Sequence, residues 1–99
     1  MGPDLDIMKT EQAELIAIQA LGHIAADEEL LFAFVDLCGL APNELRARAG
    51  EPEILGGVLD FLLMDEKRLL SFCEAADLKP EIPGLARRLL PGGEEVHWT

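Results

Sequence analysis

The stretch from Asp27 to Pro42 is DEELLFAFVDLCGLAP, and its pattern returns 38 positions later, from Asp65 to Pro80, as DEKRLLSFCEAADLKP. Each copy opens with an aspartate suited to capping a helix and a glutamate suited to its first turn. Each copy then spaces its apolar residues by i, i+3, i+4 and i+7, which places them on one helix face. They are Leu31, Phe34, Val35 and Cys38, and then Leu69, Phe72, Cys73 and Ala76. The repeat predicts two aspartate-capped helices.

Further helices are predicted before and after each copy. A long helix with Thr10 as its N-cap should reach Ala25, and another should start at Pro52. Apolar residues of the second stand 38 positions after those of the first. Short helices are predicted at 43–49 and 84–90, since glycine or proline follows each. No alternating β-branched run competes with a helical interpretation.

We therefore predict an all-α fold with one domain spanning residues 1–99. It should be a compact bundle of five to six helices built from two pseudo-repeated helix-turn-helix-loop units, about residues 12–49 and 50–90. The ordered core is expected at about residues 10–91, between tails at 1–9 and 92–99. Each unit exposes an apolar face, so the two are expected to pack together as a pseudo-twofold bundle. A chance match between leucine-rich helices is the alternative explanation of the repeat.

Composition indicates that some apolar surface stays outside the core. The chain has 99 residues, of which 49% are hydrophobic, and a domain this small buries only about two-thirds of its unfolded surface. Exposed apolar patches on small domains usually mark an interface, so we expect a protein partner or a homodimer. The alternative is a core that is simply rich in alanine and leucine.

Charge makes phosphate-bearing partners unfavourable. The formal net charge is −11, from 19 acidic and 8 basic residues. Nucleic acids and anionic membranes attract basic surfaces, so neither is an expected partner. A cytoplasmic location is predicted, because Met1 to Asp6 lack a secretory pattern and the apolar stretch Ile54 to Met64 is too short to span a bilayer.

The pattern of residues 34–49 raises one alternative, a DNA-associated regulator. There FVDLCGLAPNELRARA places a glycine between two helices, as in a helix-turn-helix motif, with Arg46 and Arg48 on the second. Val35 is bulky where that motif needs a small residue, and Glu44 adds to an acidic surrounding. A DNA-associated regulator would therefore have to use a degenerate helix-turn-helix motif at residues 34–49.

No catalytic, cofactor, metal or small-molecule site is predicted. The sequence has no nucleophile with an adjacent base and no glycine-rich phosphate loop after a strand, so we expect no enzyme activity. In the repeat, Cys38 and Cys73 occupy apolar core positions, and His23 stands where the second unit has Phe61. The cysteines and His23 are therefore expected to pack rather than to bind a metal.

Some residues remain unexplained by the repeat and are the candidates for a partner or interface. Gly56-Gly57 inside a helix is unfavourable by about 1 kcal/mol per glycine relative to alanine, which predicts a close helix crossing within the bundle or across a dimer. Arg87-Arg88 is a basic pair in an acidic chain, and Trp98 is an aromatic anchor candidate. The full candidate set is Gly56, Gly57, Arg46, Arg48, Arg87, Arg88 and Trp98.

The chain resembles a bacterial domain-of-unknown-function family numbered 3572, found mainly in alphaproteobacteria. The resemblance runs from Gln12 to Thr99 and is carried by the capped turn at Asp27, GLAPNELR at 39–46, LDFLLMDE at 59–66, and the terminal PGG and WT. Glu28 and Ala41 depart from the residues common in such proteins, which affects helix starts only. The resemblance implies a small helical cytoplasmic protein and brings no catalytic residue.

Together these observations predict a non-enzymatic helical module that binds protein, as a homodimer, an adaptor or a small regulator.

Overall fold

A computed structural model describes residues 9–90 of the chain. Within that range the chain forms six helices and no strand, which confirms the predicted all-α bundle. None of these helices is both long and apolar enough to cross a bilayer. The helices are α1 (Thr10–Ala25), α2 (Glu28–Cys38), α3 (Pro42–Ala47), α4 (Pro52–Leu63), α5 (Glu66–Ala76) and α6 (Ile82–Arg88).

Two aspartates begin α2 and α5 in the same way. Asp27 Oδ1 accepts hydrogen bonds from the backbone N–H groups two and three residues later, at 2.9 and 3.3 Å. Asp65 Oδ1 does the same at 2.9 and 3.4 Å. Each carboxylate satisfies two N–H groups that have no partner inside the helix, so both predicted caps are confirmed.

The start of α1 differs from the prediction by one residue. The N-cap is Lys9, and Thr10 is the first helical residue instead of the cap. The side-chain carbonyl of Gln12 accepts a hydrogen bond from the Lys9 backbone N–H at 2.9 Å. That bond satisfies the N–H group at the helix start without a threonine hydroxyl.

The last helix also begins earlier than predicted, at Ile82 instead of Gly84. Pro83 was expected to force a turn, but it lies buried in the first turn of α6. Proline needs no hydrogen-bond acceptor for its nitrogen there, and its fixed φ suits a helix start. The short helices end at Ala47 and Arg88, two residues earlier than predicted.

Helix α1 lies at the centre of the bundle. It packs against α4 and α6 and also contacts α2 and α5. The face that meets them is fully buried and consists mainly of alanine: Ala13, Ala17, Ala20 and Ile24. Small side chains allow neighbouring helices to approach α1 closely, while larger residues from α4 fill the core.

Aromatic rings join α2, α4 and α5. Phe34 of α2 and Phe61 of α4 meet edge to face, with ring centroids 5.3 Å apart. The guanidinium of Arg68 in α5 lies 4.0 Å from the Phe61 centroid, and its Nη1 donates to the Phe61 carbonyl at 3.4 Å. Full burial of each phenylalanine stabilises the fold by about 2–3 kcal/mol.

The second helices of the two predicted units, α2 and α5, share local features, whereas the third helices pack differently. At the ends of α2 and α5, Gly39 and Asp77 both have left-handed backbone, with φ of 74° and 59°. Helix α6 packs against both α1 and α4, and α3 has no comparable packing within residues 9–90. The predicted duplication about a twofold axis is therefore still a prediction.

Candidate functional site

Large apolar side chains are exposed on several helices of the described region, as the composition predicted. Phe32 is the largest of them and 59% of its surface is exposed. The others lie on α1, α2, α5 and the ends of α4 and α6: Leu15, Ile18, Leu37, Leu63, Met64, Leu70 and Leu89. An exposed aromatic ring does not gain the favourable free energy of burial unless a partner covers it. Phe32 is therefore the starting point for a candidate site.

The helical period places Phe32 among acidic side chains on α2. Glu28 and Asp36 stand four residues before and after it, and Glu29 stands three before it. Residues three and four apart are neighbours on a helix surface. All three acidic residues are exposed, and none makes an ion pair within residues 9–90. We call Glu28, Glu29, Phe32 and Asp36 the α2 outer face.

A broad surface depression of about 750 Å³ lies beside the C-terminal half of this face. The left-handed Gly39 ends α2, and its N–H donates to the Val35 carbonyl at 2.8 Å. The chain then turns so that residues 39–41 form one wall of the depression. Its lining is Phe32, Ala33, Val35, Asp36, Gly39, Leu40 and Ala41. The α2 outer face and this depression together therefore combine an aromatic ring, carboxylates and a lining of mixed polarity.

The two glycines of the predicted pair in α4 differ in burial. Gly56 is buried in the core, as a close crossing requires. Gly57 is only half-buried, and a Cβ built on it would meet no described atom within 4 Å. Within residues 9–90 no neighbouring element therefore approaches Gly57 closely, and a close crossing at this position stays a prediction.

Arg48 forms a local ion pair, and Arg46 lies on the surface. Arg48 Nε donates to Glu51 Oε1 at 2.9 Å, and its Nη2 lies 2.8 Å from the same oxygen. The hydrogen bond and charge of Glu51 raise the pKa of Arg48. Arg46 is exposed beside a small cavity of about 170 Å³ between α1, α2 and α3. Helix α3 has only six residues, a short element for reading a major groove.

Arg87 binds within the fold, unlike its neighbour. Its Nε and Nη2 donate to the two carboxylate oxygens of Asp60 at 2.7 and 3.0 Å, linking α6 to α4. Arg88 is exposed and makes no ion pair in the described region. Trp98 lies outside the described residues, as do most of the predicted tails.

The two cysteines have different surroundings. Cys73 is buried as predicted, and its Sγ lies 3.8 Å from the Lys79 carbonyl. Cys38 was expected in the core but is exposed, because α2 carries it in its last turn, one residue before Gly39. Desolvation raises the pKa of both thiols, and the negative charge of Glu81 raises that of Cys73 further.

His23 packs against an aromatic ring, as predicted. Its ring centroid lies 5.6 Å from that of Phe72. The adjacent cavity of about 370 Å³ is lined by Gln19, His23, Phe72, Ala75 and Ala76. Within residues 9–90, no group of three or more histidine, cysteine or acidic side chains is arranged to hold a metal ion.

Phe32 and Asp36 were missed by the sequence argument, although a signal was present. The apolar stripe of α2 was assigned to Leu31, Phe34, Val35 and Cys38, and Phe32 lies off that stripe. A phenylalanine on the acidic side of a helix is itself unusual, because the acids indicate a solvated face. That mismatch is the feature from which the site could have been found.

Comparison with known proteins identifies the family. The family model described as "Protein of unknown function (DUF3572)" matches residues 10–93. The chain belongs to this family, in agreement with the resemblance of its motifs. No curated protein and no solved structure matches the chain.

Proposed function

We propose that this chain is a non-enzymatic helical module that acts by binding another protein, as an adaptor or small regulator in the cytoplasm. The observation that carries the proposal is Phe32, a large aromatic side chain that is 59% exposed beside an open depression. Solvent-exposed aromatics at the edge of a recess are typical anchors of protein interfaces. A protein partner would remove this ring from water.

The surroundings of His23 and of the two cysteines also favour binding over catalysis. Among residues 9–90, no carboxylate lines the cavity beside His23 to act with the imidazole as an acid and base pair. The free thiols Cys38 and Cys73 have raised pKa values, which makes them weak nucleophiles at neutral pH. Free thiols also suit the reducing cytoplasm.

A partner of different sequence is favoured over a second copy. The chain carries a formal charge of −11, so bringing two copies together opposes like charges. The α2 outer face concentrates that charge around Phe32. Association of two such faces would need to overcome repulsion among at least three carboxylates on each side.

Crosslinking in the cell that makes the protein tests the proposal. A tagged chain would be crosslinked in living cells, captured and analysed by mass spectrometry, and the purified chain would be weighed by light scattering. We expect a monomer in isolation and at least one protein enriched in near-equal amount with the bait. A double variant, Phe32→Ser with Leu37→Ser, is a matched bait because both side chains are exposed. A monomer with no enriched protein would refute the proposed function.

A further inference from the structure

We infer that the α2 outer face and its depression bind a basic amphipathic helix of a partner protein. This inference rests on the protein-binding function proposed above and adds the location of the site and the chemistry of the partner. Its elements are one exposed ring, three exposed carboxylates and an open recess with several apolar residues in its lining, all on α2 and the loop that follows it.

The apolar part of the surface suits side chains presented by a helix. Phe32 forms the centre, and Leu40 and Ala41, from the loop that follows α2, line the recess. A partner helix that lies along α2 would present residues at i, i+3, i+4 and i+7. One large aliphatic side chain can then enter the recess while its neighbour covers Phe32.

The charged part of the surface determines the sign of the charge expected on the partner. Glu28, Glu29 and Asp36 lie within about one turn of Phe32, and α2 contains no basic residue. None of the three is neutralised by an ion pair within residues 9–90. Lysine or arginine beside the apolar stripe of a partner would supply the missing positive charges.

The ring of Phe32 also favours a cationic side chain on the partner. A lysine or arginine over the face of a phenylalanine is attracted by the ring, and nearby carboxylates can hold the same cation from the side. The bundle already contains such a contact, since Arg68 lies 4.0 Å from the Phe61 centroid and also pairs with Asp65 at 3.9 Å. At Phe32 the corresponding cation would come from the partner.

The two competing occupants fit this surface less well. A second copy would bring its own α2 carboxylates against these, and nucleic acid would bring phosphates. The α1 surface around Leu15 has similar fractional exposure, but α1 contributes no phenylalanine or tryptophan. It therefore serves as the internal control.

The test uses two synthetic helical peptides of 18 residues or so, long enough for five helical turns. One carries a leucine stripe flanked by lysines, and the other carries glutamate in place of every lysine. Each is titrated into the isotopically labelled protein, and backbone amide shifts are followed by NMR. We expect the lysine peptide to shift amides of α2 and residues 39–41, and the glutamate peptide to shift none.

Single-residue variants then measure how much each side chain contributes to peptide affinity. We expect Phe32→Ala to weaken the lysine peptide by about 10-fold and Asp36→Asn by about 3-fold. Leu15→Ala should leave the affinity unchanged, although Leu15 is 58% exposed, nearly the same fraction as Phe32. Thermal melts confirm that each variant is folded. Affinity should also fall as salt is added, since carboxylates contribute.

Several results would overturn the inference. These are no shift with the lysine peptide, equal affinity for Phe32→Ala, or shifts centred on Leu15 and Ile18. A dimer of the isolated chain that Phe32→Ala dissociates would also overturn it, in favour of a second copy. If cellular crosslinking finds a partner elsewhere on the surface, the proposed function stands while this inference fails.

Discussion

Arg87 holds the carboxylate of Asp60 through two parallel hydrogen bonds, from Nε at 2.7 Å and from Nη2 at 3.0 Å. The pair joins α6 to α4 across 27 positions of sequence. The Arg87 side chain is only 16% exposed, so solvent competes weakly for it, although Asp60 is more open. Bidentate geometry of this kind fixes orientation as well as distance.

We expect Arg87→Ala to lower the free energy of unfolding by about 1–2 kcal/mol, because α6 loses a charge-assisted contact with α4. Asp60→Asn should cost less, since an amide can still accept one of the two bonds. Urea denaturation of both variants and of the double variant would measure their coupling. The neighbouring Arg88→Ala is the control and should change stability by less than about 0.5 kcal/mol. Equal losses at Arg87 and Arg88 would contradict a role for the pair.

The two helix caps should contribute similarly to stability. Replacing Asp27 or Asp65 with alanine removes two hydrogen bonds from a helix start and should cost about 1 kcal/mol in either case. Replacement by asparagine should restore most of the loss, because its side-chain oxygen can accept the same bonds. Thermal unfolding of the four single variants provides the measurement. An asparagine variant as unstable as the alanine variant would show that capping is not the cause.

Gly57→Ala should stabilise the protein by about 0.5–1 kcal/mol. The added methyl meets no described atom within 4 Å, and alanine favours the helix over the unfolded chain. In a domain of this size the melting temperature should rise by about 2–8 °C. The matched control is Gly39→Ala, where there is equal space but φ is +74°. That variant should lose about 1 kcal/mol, because a Cβ disfavours left-handed backbone. A stabilising Gly39→Ala would contradict this explanation.

Gly56→Leu should have the opposite effect to Gly57→Ala. Gly56 is buried among the apolar residues of α4, and a large side chain there would displace its neighbours. Overpacking of this kind costs about 1–3 kcal/mol. An unchanged melting temperature would remove the close-crossing interpretation.

The cysteines should differ in reactivity under native conditions. Cys38 is exposed and Cys73 is only 3% exposed, so a thiol reagent should label one cysteine quickly and the second only in denaturant. Only the thiolate reacts, and partial desolvation by the surrounding protein raises the pKa of the Cys38 thiol above its ordinary value of 9.0. Its labelling rate should therefore keep rising beyond that pH. Cys38→Ser should abolish the fast phase, and a persistent fast phase would show that Cys73 is accessible.

Local signals in the sequence predicted most of the helix starts. Asp27, Asp65 and Pro52 each act on the backbone of their own helix, so their effect can be read without knowing any neighbour. The early start of α6 has the same origin, because Pro83 fits a first helical turn and was interpreted as a turn residue instead. Helix starts depend on residues close in sequence, so the sequence alone can predict them.

Features that depend on packing between helices were not predictable in the same way. The partner of Arg87 is 27 positions away, and nothing near Arg87 in sequence indicates Asp60. Cys38 follows the apolar period of α2 but sits in the helix's last turn, where the core no longer covers it. Phe32 is apolar by type and exposed by position, so its place depends on which face of α2 meets α1 and α4.

The packing of α1 against α6 has a consequence for the timing of folding. A ribosome releases α1 before the other five described helices, yet the helices that bury its alanine face include the last one that the structure describes. Contacts between distant parts of a chain form slowly and only after both parts have emerged. While translation is still producing α5, the alanine face of α1 has only part of its cover. The complete bundle can therefore form only after residues 82–88 leave the ribosome, so a nascent chain stalled before that point would be the form of this protein most exposed to chaperones and proteases.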